Sequence, residues 1–144
     1  MGETMTAFPA TLLSAVVTIL VIALYLIMAI RVGRMRGKHN INAPAVTGHP
    51  EFERAYRVQM NTLEQMPVFL PALWLATIYF KTYGFLPALL GVLWIIGRVL
   101  YMEGYMDDPS KRSFGFTLST ISQLLLLILA MVGIYMSWAA TTAT

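Results

Sequence analysis

Glu53-Arg54-Ala55-Tyr56-Arg57-Val58-Gln59-Met60-Asn61-Thr62-Leu63-Glu64-Gln65-Met66-Pro67 decides the reading of this chain, because a densely polar helix start runs without a break into the apolar stretch 68–80. On a helix of 3.6 residues per turn, Arg54, Arg57, Asn61 and Glu64 fall at i, i+3, i+7 and i+10, which places them along one face. A charged stripe leading into a membrane-grade helix is expensive unless it lines a protein-enclosed cavity or meets water. Such residues are functional candidates by default.

The composition supports a membrane setting. The 144 residues are 58% hydrophobic and only 12% charged, where a soluble domain carries about 25% charged residues. The net charge of +3 is small and does not point to nucleic acid. No cysteine is present, which excludes disulfides, thiolate metal sites and a cysteine nucleophile. The two histidines, His39 and His49, fall in one expected loop, and no metal is expected. Residues 1–7 carry Glu3 and no basic residue, and the apolar run after them is longer than a signal-peptide core, so a retained transmembrane helix is expected there.

Four apolar segments organise the chain. Segment 8–30 has no charge and is long enough to cross about 30 Å of hydrocarbon. Segments 68–80 and 85–97 are too short alone, and reach spanning length only if their polar flanks, 52–67 and 98–105, belong to the same helices. Segment 114–138 has Gln123 as its only strongly polar side chain. The expectation is an all-α, four-helix integral membrane bundle in a single domain, with helices near 8–36, 51–81, 84–106 and 113–139. Asn42 to Pro50, Tyr83-Gly84 and Asp107-Asp108-Pro109-Ser110 mark the turns. Pro67, Pro71 and Pro87 lie inside helical patterns and are expected to kink the second and third helices. Arg31, Arg34, Arg36 and Lys38 follow the first helix, and Lys111 and Arg112 lie between the third and fourth, against Lys81 and Glu3 at the other side. The positive-inside rule then places both termini outside and the 31–52 and 106–113 loops in the cytoplasm.

The polar residues admit two readings each. Arg57, Asn61 and Glu64 supply guanidinium donors, an amide and a carboxylate, a set that can hold a small zwitterionic peptide. Equally, Asn61 and Glu64 can bond across an oligomer interface as helix-to-helix glue. Glu53 with Arg57 reads as a surface i, i+4 pair. Arg98, Tyr101 and Tyr105 share a face of the third helix. Tyr105 alone reads as an interfacial anchor, whereas Arg98 lies deep and needs a partner, for which Glu64 is the candidate. The cluster Arg31, Arg34, Arg36, Lys38 is first a topology signal and then an attraction for anionic membrane lipids. Ser119, Ser122 and Gln123 read as interhelical hydrogen-bond formers. Trp74, Trp94 and Trp138 read as packing or interfacial belt.

Phe52 to Pro67, with Arg57, Asn61 and Glu64 at their spacing, resembles the signature of the MAPEG family, the membrane-associated proteins of eicosanoid and glutathione metabolism. Arg98-x-x-Tyr101-x-x-Gly104-Tyr105 with a following Arg112 resembles the family's second motif, and the four-helix layout extends the likeness over nearly the whole chain. The resemblance implies a homotrimer with glutathione sites between neighbouring subunits near the cytoplasmic face. It implies that Arg57, Asn61, Glu64 and Tyr101 bind glutathione, that Gln59 and Tyr105 add contacts, and that Arg112 activates the glutathione sulfur. One of Arg31, Arg34 and Arg36 in the basic cluster is expected to face the same site, and Arg36 is the one assigned to it. Gln65 stands where the leukotriene-conjugating branch has tyrosine, and Asn61-Thr-Leu-Glu64 resembles instead the microsomal glutathione transferase branch. Glu64 stands where the lipoxygenase-activating member, which is not an enzyme, has aspartate. The expected activity is conjugation of glutathione to a hydrophobic electrophile arriving from the bilayer, with lipid hydroperoxide reduction beside it. The alternative is a non-catalytic lipid-binding or scaffolding protein of the same fold. A transporter or channel subunit would need polar residues continuing through 68–80 and 85–97, which offer almost none.

Overall fold

A computed structural model describes residues 9–143 as four helices. They are α1 (Ala10–His39), α2 (Pro50–Tyr79), α3 (Leu86–Asp107) and α4 (Ser113–Thr142), with a 3₁₀ turn, Pro109–Arg112, before α4. No strand occurs among the described residues. The expected start of the first helix at Phe8, and the whole of 1–7 with Glu3, lie outside them. Three helical stretches, Ala10–His39, Leu86–Asp107 and Pro109–Thr142, are long and apolar enough to cross a membrane. The second helix is as long as the first, at 30 residues, but its first half is polar.

Local chemistry sets the ends. Asn40 leaves α1 in the left-handed conformation (φ 53°), and its backbone N–H returns to the carbonyls of Arg36 and Gly37. Lys38 and His39 in the last turn meet the negative end of the helix dipole. The second helix starts with Pro50 in the first turn, where a missing N–H is harmless, and the His49 side chain accepts from the Glu51 N–H. It runs unbroken through Pro67 and Pro71. Both prolines lie on the exposed side of the helix. Pro87 departs from expectation: it sits in the first turn of α3, where it removes no intrahelical bond, so it starts that helix instead of kinking it.

The core has a dry centre and a polar end. At the centre, Phe69 of α2 stacks on Trp94 of α3 with ring centroids 4.1 Å apart, enclosed by Val17, Val21, Leu73 and Leu126. The third and fourth helices touch backbone to backbone, since a Cβ on Gly115 would overlap the backbone of Tyr101 and Gly97. Small residues allow such an approach where lipid supplies no hydrophobic drive. Ser119 and Ser122 depart from expectation, because their hydroxyls bond to Phe116 and Leu118 carbonyls in their own helix. Only Gln123 of the three reaches another helix, donating to Gln65 Oε1 at 3.3 Å.

Candidate functional site

The stripe on α2 forms one continuous polar edge. Arg57 and Glu64 face each other loosely at 3.8 Å, both about half exposed, and Asn61 Nδ2 donates to Glu64 Oε2 at 3.4 Å. Glu53 is not the partner of Arg57, since its carboxylate accepts from the Gly48 N–H at 2.9 Å and holds the 40–49 loop. Arg54, at the start of the stripe, donates to the carbonyls of Met106 and Asp107. A cation on the last carbonyls of α3 complements that helix end.

Across from the stripe, α3 presents Arg98, Tyr101 and Tyr105. Arg98 is wholly buried and Tyr101 is 3% exposed. The Arg98 Nη2 donates to Asn61 Oδ1 at 3.0 Å and to Thr62 Oγ1 at 2.8 Å, and its guanidinium lies 4.1 Å from the centre of the Tyr101 ring. Glu64 therefore does not neutralise it. Two residues along a helix turn a side chain by about 200°, so Glu64 points outward while Thr62 points to α3. An amide, a hydroxyl and an aromatic face hold this cation in place of a carboxylate.

The turn at 109–112 completes the site. A Cβ on Gly104 would stand 2.7 Å from the Lys111 carbonyl oxygen, so only glycine lets the turn fold back on α3. Asp108 fixes the turn by accepting from the Ser110 N–H at 2.7 Å. Hydrogen bonding from Ser110, first from its side chain and then from its backbone N–H, holds the Asp108 carboxyl below the usual carboxylate range. Arg112 is thereby brought over the Tyr105 ring, 5.5 Å from its centre. Tyr105 packs on Tyr101 at 5.6 Å, and Tyr101 on Phe116 at 6.2 Å.

These groups enclose a cavity of about 230 Å³ lined by Arg57, Asn61, Tyr101, Arg112 and Phe116. A second cavity of about 380 Å³ shares Arg57 and extends past Tyr105 and Arg54 toward Pro50. The structure thus gathers Arg57, Asn61, Tyr101 and Arg112 around the smaller cavity, while Tyr105 lines the larger one and Glu64 lines neither but touches Arg57 and Asn61. It leaves Gln59 and Arg36 elsewhere. Gln59 donates to the Tyr25 hydroxyl of α1 at 3.3 Å. Arg36 lies 4.6 Å from the Phe52 ring centre and donates to the Ala45 carbonyl at 2.7 Å. Thr62 and Phe116 belong to the site without having been singled out. The need of Arg98 for a partner was the available signal for Thr62, which lies next to Asn61; Phe116 carries no signal beyond its place four residues after Arg112.

His39, His49 and Glu51 bring ligand-type atoms within 4.8 Å of one another. Their geometry is that of a clasp closing the 40–49 loop. The rings stack nearly parallel, 3.6 Å apart, so their lone pairs do not converge, and Glu51 already accepts from Lys38 at 2.7 Å and lies 2.9 Å from His39 Nε2.

Known proteins resemble the chain over most of its length. Residues 14–132 match the family model described as the MAPEG family. An uncharacterised protein of Synechocystis sp. is 45% identical over 120 residues, 83% of this chain and 86% of its own. Microsomal glutathione S-transferase 2 of Homo sapiens is 41% identical over 86% of this chain and 83% of its own. Leukotriene C4 synthase of Cavia porcellus is 38% identical over 85% and 80%. An all-helical bundle with three membrane-grade helices and a family match of this extent lead to one assignment: the chain is an integral, multi-pass membrane protein that belongs to the MAPEG family.

Proposed function

We propose that this protein is a membrane-embedded glutathione transferase, acting as a single transmembrane domain. The observation that carries the reading is the cavity between α2, α3 and the start of α4, where two cations, an amide and a tyrosine converge on one small volume. Glutathione bears two carboxylates, an ammonium and a thiol. Arg57 and the Asn61 amide suit a carboxylate, Glu64 suits the ammonium, and Tyr101 and Tyr105 offer hydroxyls. The names of the relatives support the same co-substrate.

Arg112 is the residue that activates the sulfur. A free thiol titrates near pH 8.5, so only a few per cent is thiolate at neutral pH. A guanidinium beside the sulfur favours the anion by charge and hydrogen bonding, and each pKa unit is worth about 1.4 kcal/mol. The thiol proton leaves to water. The thiolate sulfur then bonds to an electrophilic carbon of a hydrophobic substrate entering from the bilayer, and the leaving group departs with its electron pair. Reduction of a lipid hydroperoxide is a second use of the same thiolate: two glutathiones become the disulfide, and the peroxide becomes an alcohol and water.

The positions of Gln59 and Arg36 support a homotrimer. Within one chain they lie away from Arg57 and Asn61, and a site shared between subunits allows a neighbour's Gln59 and Arg36 to complete it. The basic loops support an orientation with 31–52 and 106–113 cytoplasmic and both termini outside.

The test is purified protein in detergent, assayed with glutathione and either an activated aryl halide or a lipid hydroperoxide, with the ultraviolet thiolate band followed on adding glutathione alone. Arg112→Ala should lower kcat by roughly 100-fold or more and abolish the thiolate band. An unchanged rate and band in that variant sinks the assignment. Binding of glutathione without any thiolate band in the unaltered protein would instead favour a non-catalytic scaffold.

A further inference from the structure

We propose that Arg98 is a positioning residue that orients the Asn61 amide, making Asn61 a donor-only contact and so selecting an acceptor, such as a carboxylate, at that point of the cavity. Arg98 does not line the cavity; it lies beneath two of the groups that do.

The argument begins with what each group can do. A guanidinium has five N–H donors and no acceptor. The Asn61 atom 3.0 Å from Arg98 Nη2 must therefore be the carbonyl oxygen, whatever orientation a free amide would adopt. That leaves the NH₂ end facing outward. One of its hydrogens is directed to Glu64 Oε2 at 3.4 Å, and the other is free for the cavity that Asn61 lines. Thr62 takes part in the same order of donation: its hydroxyl accepts from Arg98 at 2.8 Å and donates to the Val58 carbonyl at 2.9 Å. Every hydrogen bond in the chain from Arg98 to Glu64 runs in one direction, from a buried cation toward an exposed carboxylate. Such an ordered chain is polarised by its charged end.

Among the described residues the guanidinium has no carboxylate partner, and its Nε and Nη1 have no hydrogen-bond partner. A fully buried cation held by neutral groups alone is an unfavourable arrangement for stability. An aspartate at 61 would give the cation a counter-charge, though its second oxygen would face the half-exposed Glu64 carboxylate to which Asn61 now donates. It would also replace the outward donor with an acceptor. Asparagine supplies the carbonyl that Arg98 requires on one side and a donor for the ligand on the other, and no other common side chain of that length does both.

The ligand half of this inference rests on the glutathione reading above; the structural half does not. Four variants separate them: Asn61→Asp, Asn61→Ala, Arg98→Met and Arg98→Lys, each measured for thermal midpoint in detergent and for glutathione KM and kcat. Asn61→Asp should keep the midpoint above that of Asn61→Ala, the counter-charge to Arg98 outweighing repulsion from the half-exposed Glu64, while raising glutathione KM by roughly tenfold or more, since a hydrogen bond to a charged group is lost. Asn61→Ala should raise KM similarly without raising the midpoint. Arg98→Met should raise KM with little change in kcat at saturation, and Asn61→Ala added to it should raise KM no further, the mark of two residues acting as one unit. Arg98→Lys keeps a donor and should recover part of the affinity.

The inference is overturned if Arg98→Met leaves KM unchanged while Asn61→Ala raises it, or if Asn61→Asp lowers the midpoint as Asn61→Ala does. Should Arg98→Met not fold, Arg98→Lys, which recovers only part of the affinity, must still raise KM above that of the unaltered protein, and an unchanged KM there overturns the inference. Should the unaltered protein bind no glutathione, the co-substrate assignment falls, and the midpoints of Asn61→Asp and Asn61→Ala still decide the orientation of the amide.

Discussion

Trp94 and Arg98 are neighbours on one face of α3, a single turn apart, and the two layers they centre are packed by opposite means. Around Trp94 the bundle is apolar: the indole stacks on Phe69, and the surrounding side chains are aliphatic. Around Arg98 it is a network of an amide, a hydroxyl and a phenol ring, with the cation 6.0 Å from the Trp94 ring centre at the border. The aromatic layer depends on area and dispersion. The arginine layer depends on matched donors and acceptors and opens into a cavity. One helix can therefore serve the fold at one turn and, on the proposed function, the chemistry at the next. Changes confined to each layer should separate stability from activity.

The largest stability effect is expected from Phe69→Ala. Phe69 is fully buried, and removing a buried phenyl ring leaves a void whose effect is about 3–5 kcal/mol. It lies eight residues from Asn61, about 12 Å along the helix, which is beyond the usual range of energetic coupling. Thermal denaturation in detergent should show the loss, while the folded fraction keeps its glutathione KM within about twofold. A variant that loses affinity in proportion to stability would show the layers to be one cooperative unit. Arg112→Ala is the mirror image. Arg112 is exposed, so its removal should shift stability by no more than about 0.5 kcal/mol while the rate falls by the factor argued above.

The same contrast explains how much could be read from residues alone. The four helices follow from apolar length and from the need of 52–67 and 98–105 to extend short segments, and their order is that found. The stripes on α2 and α3 were legible because i, i+3 and i+7 spacing sets faces without tertiary information, whereas the grouping of Arg57, Asn61, Tyr101 and Arg112 into one site was an implication of the resemblance to the MAPEG family. The partner of Arg98 was not legible. Charge favoured Glu64, but pairing depends on which side of α2 meets α3, and only Thr62 and the carbonyl of Asn61 reach that side. Pro87 misled for a related reason: spacing shows a proline near a helix but not whether it falls in the first turn. Gln59 and Arg36 show where a single chain stops being informative, since both are engaged within the chain away from the cavity.

A smaller effect is expected where α2 meets the end of α3. Arg54 donates to the carbonyls of Met106 and Asp107, at 3.2 and 3.1 Å. Arg54→Ala leaves those carbonyls to water and removes a cation from a helix C-terminus, an effect of about 1 kcal/mol. Because those carbonyls lead directly into the 109–112 turn, the loss should also raise glutathione KM modestly, by roughly threefold. Equal KM values in the two proteins would show that the turn is held by Gly104 and Asp108 without help from α2.

The smallest effect tests that turn directly, through pH. Hydrogen bonding from the Ser110 side chain, and next from its backbone N–H at 2.7 Å, holds the folded-state pKa of Asp108 below the ordinary carboxyl value. A group depressed in the folded state stabilises it above the unfolded pKa, and that contribution disappears as pH falls through the depressed folded value. The arginine beyond the turn should therefore keep its place at neutral and mildly acidic pH and lose it only at strongly acidic pH. Asparagine caps a turn nearly as well as aspartate but does not titrate. Asp108→Asn should match the unaltered protein at neutral pH and show a weaker acid dependence of its thermal midpoint. Asp108→Ala, with neither cap nor charge, should lower kcat at every pH, because Arg112 then sits on a loosened turn. A kcat for Asp108→Ala equal to that of the unaltered protein would mean that packing of the turn on Gly104 alone positions Arg112.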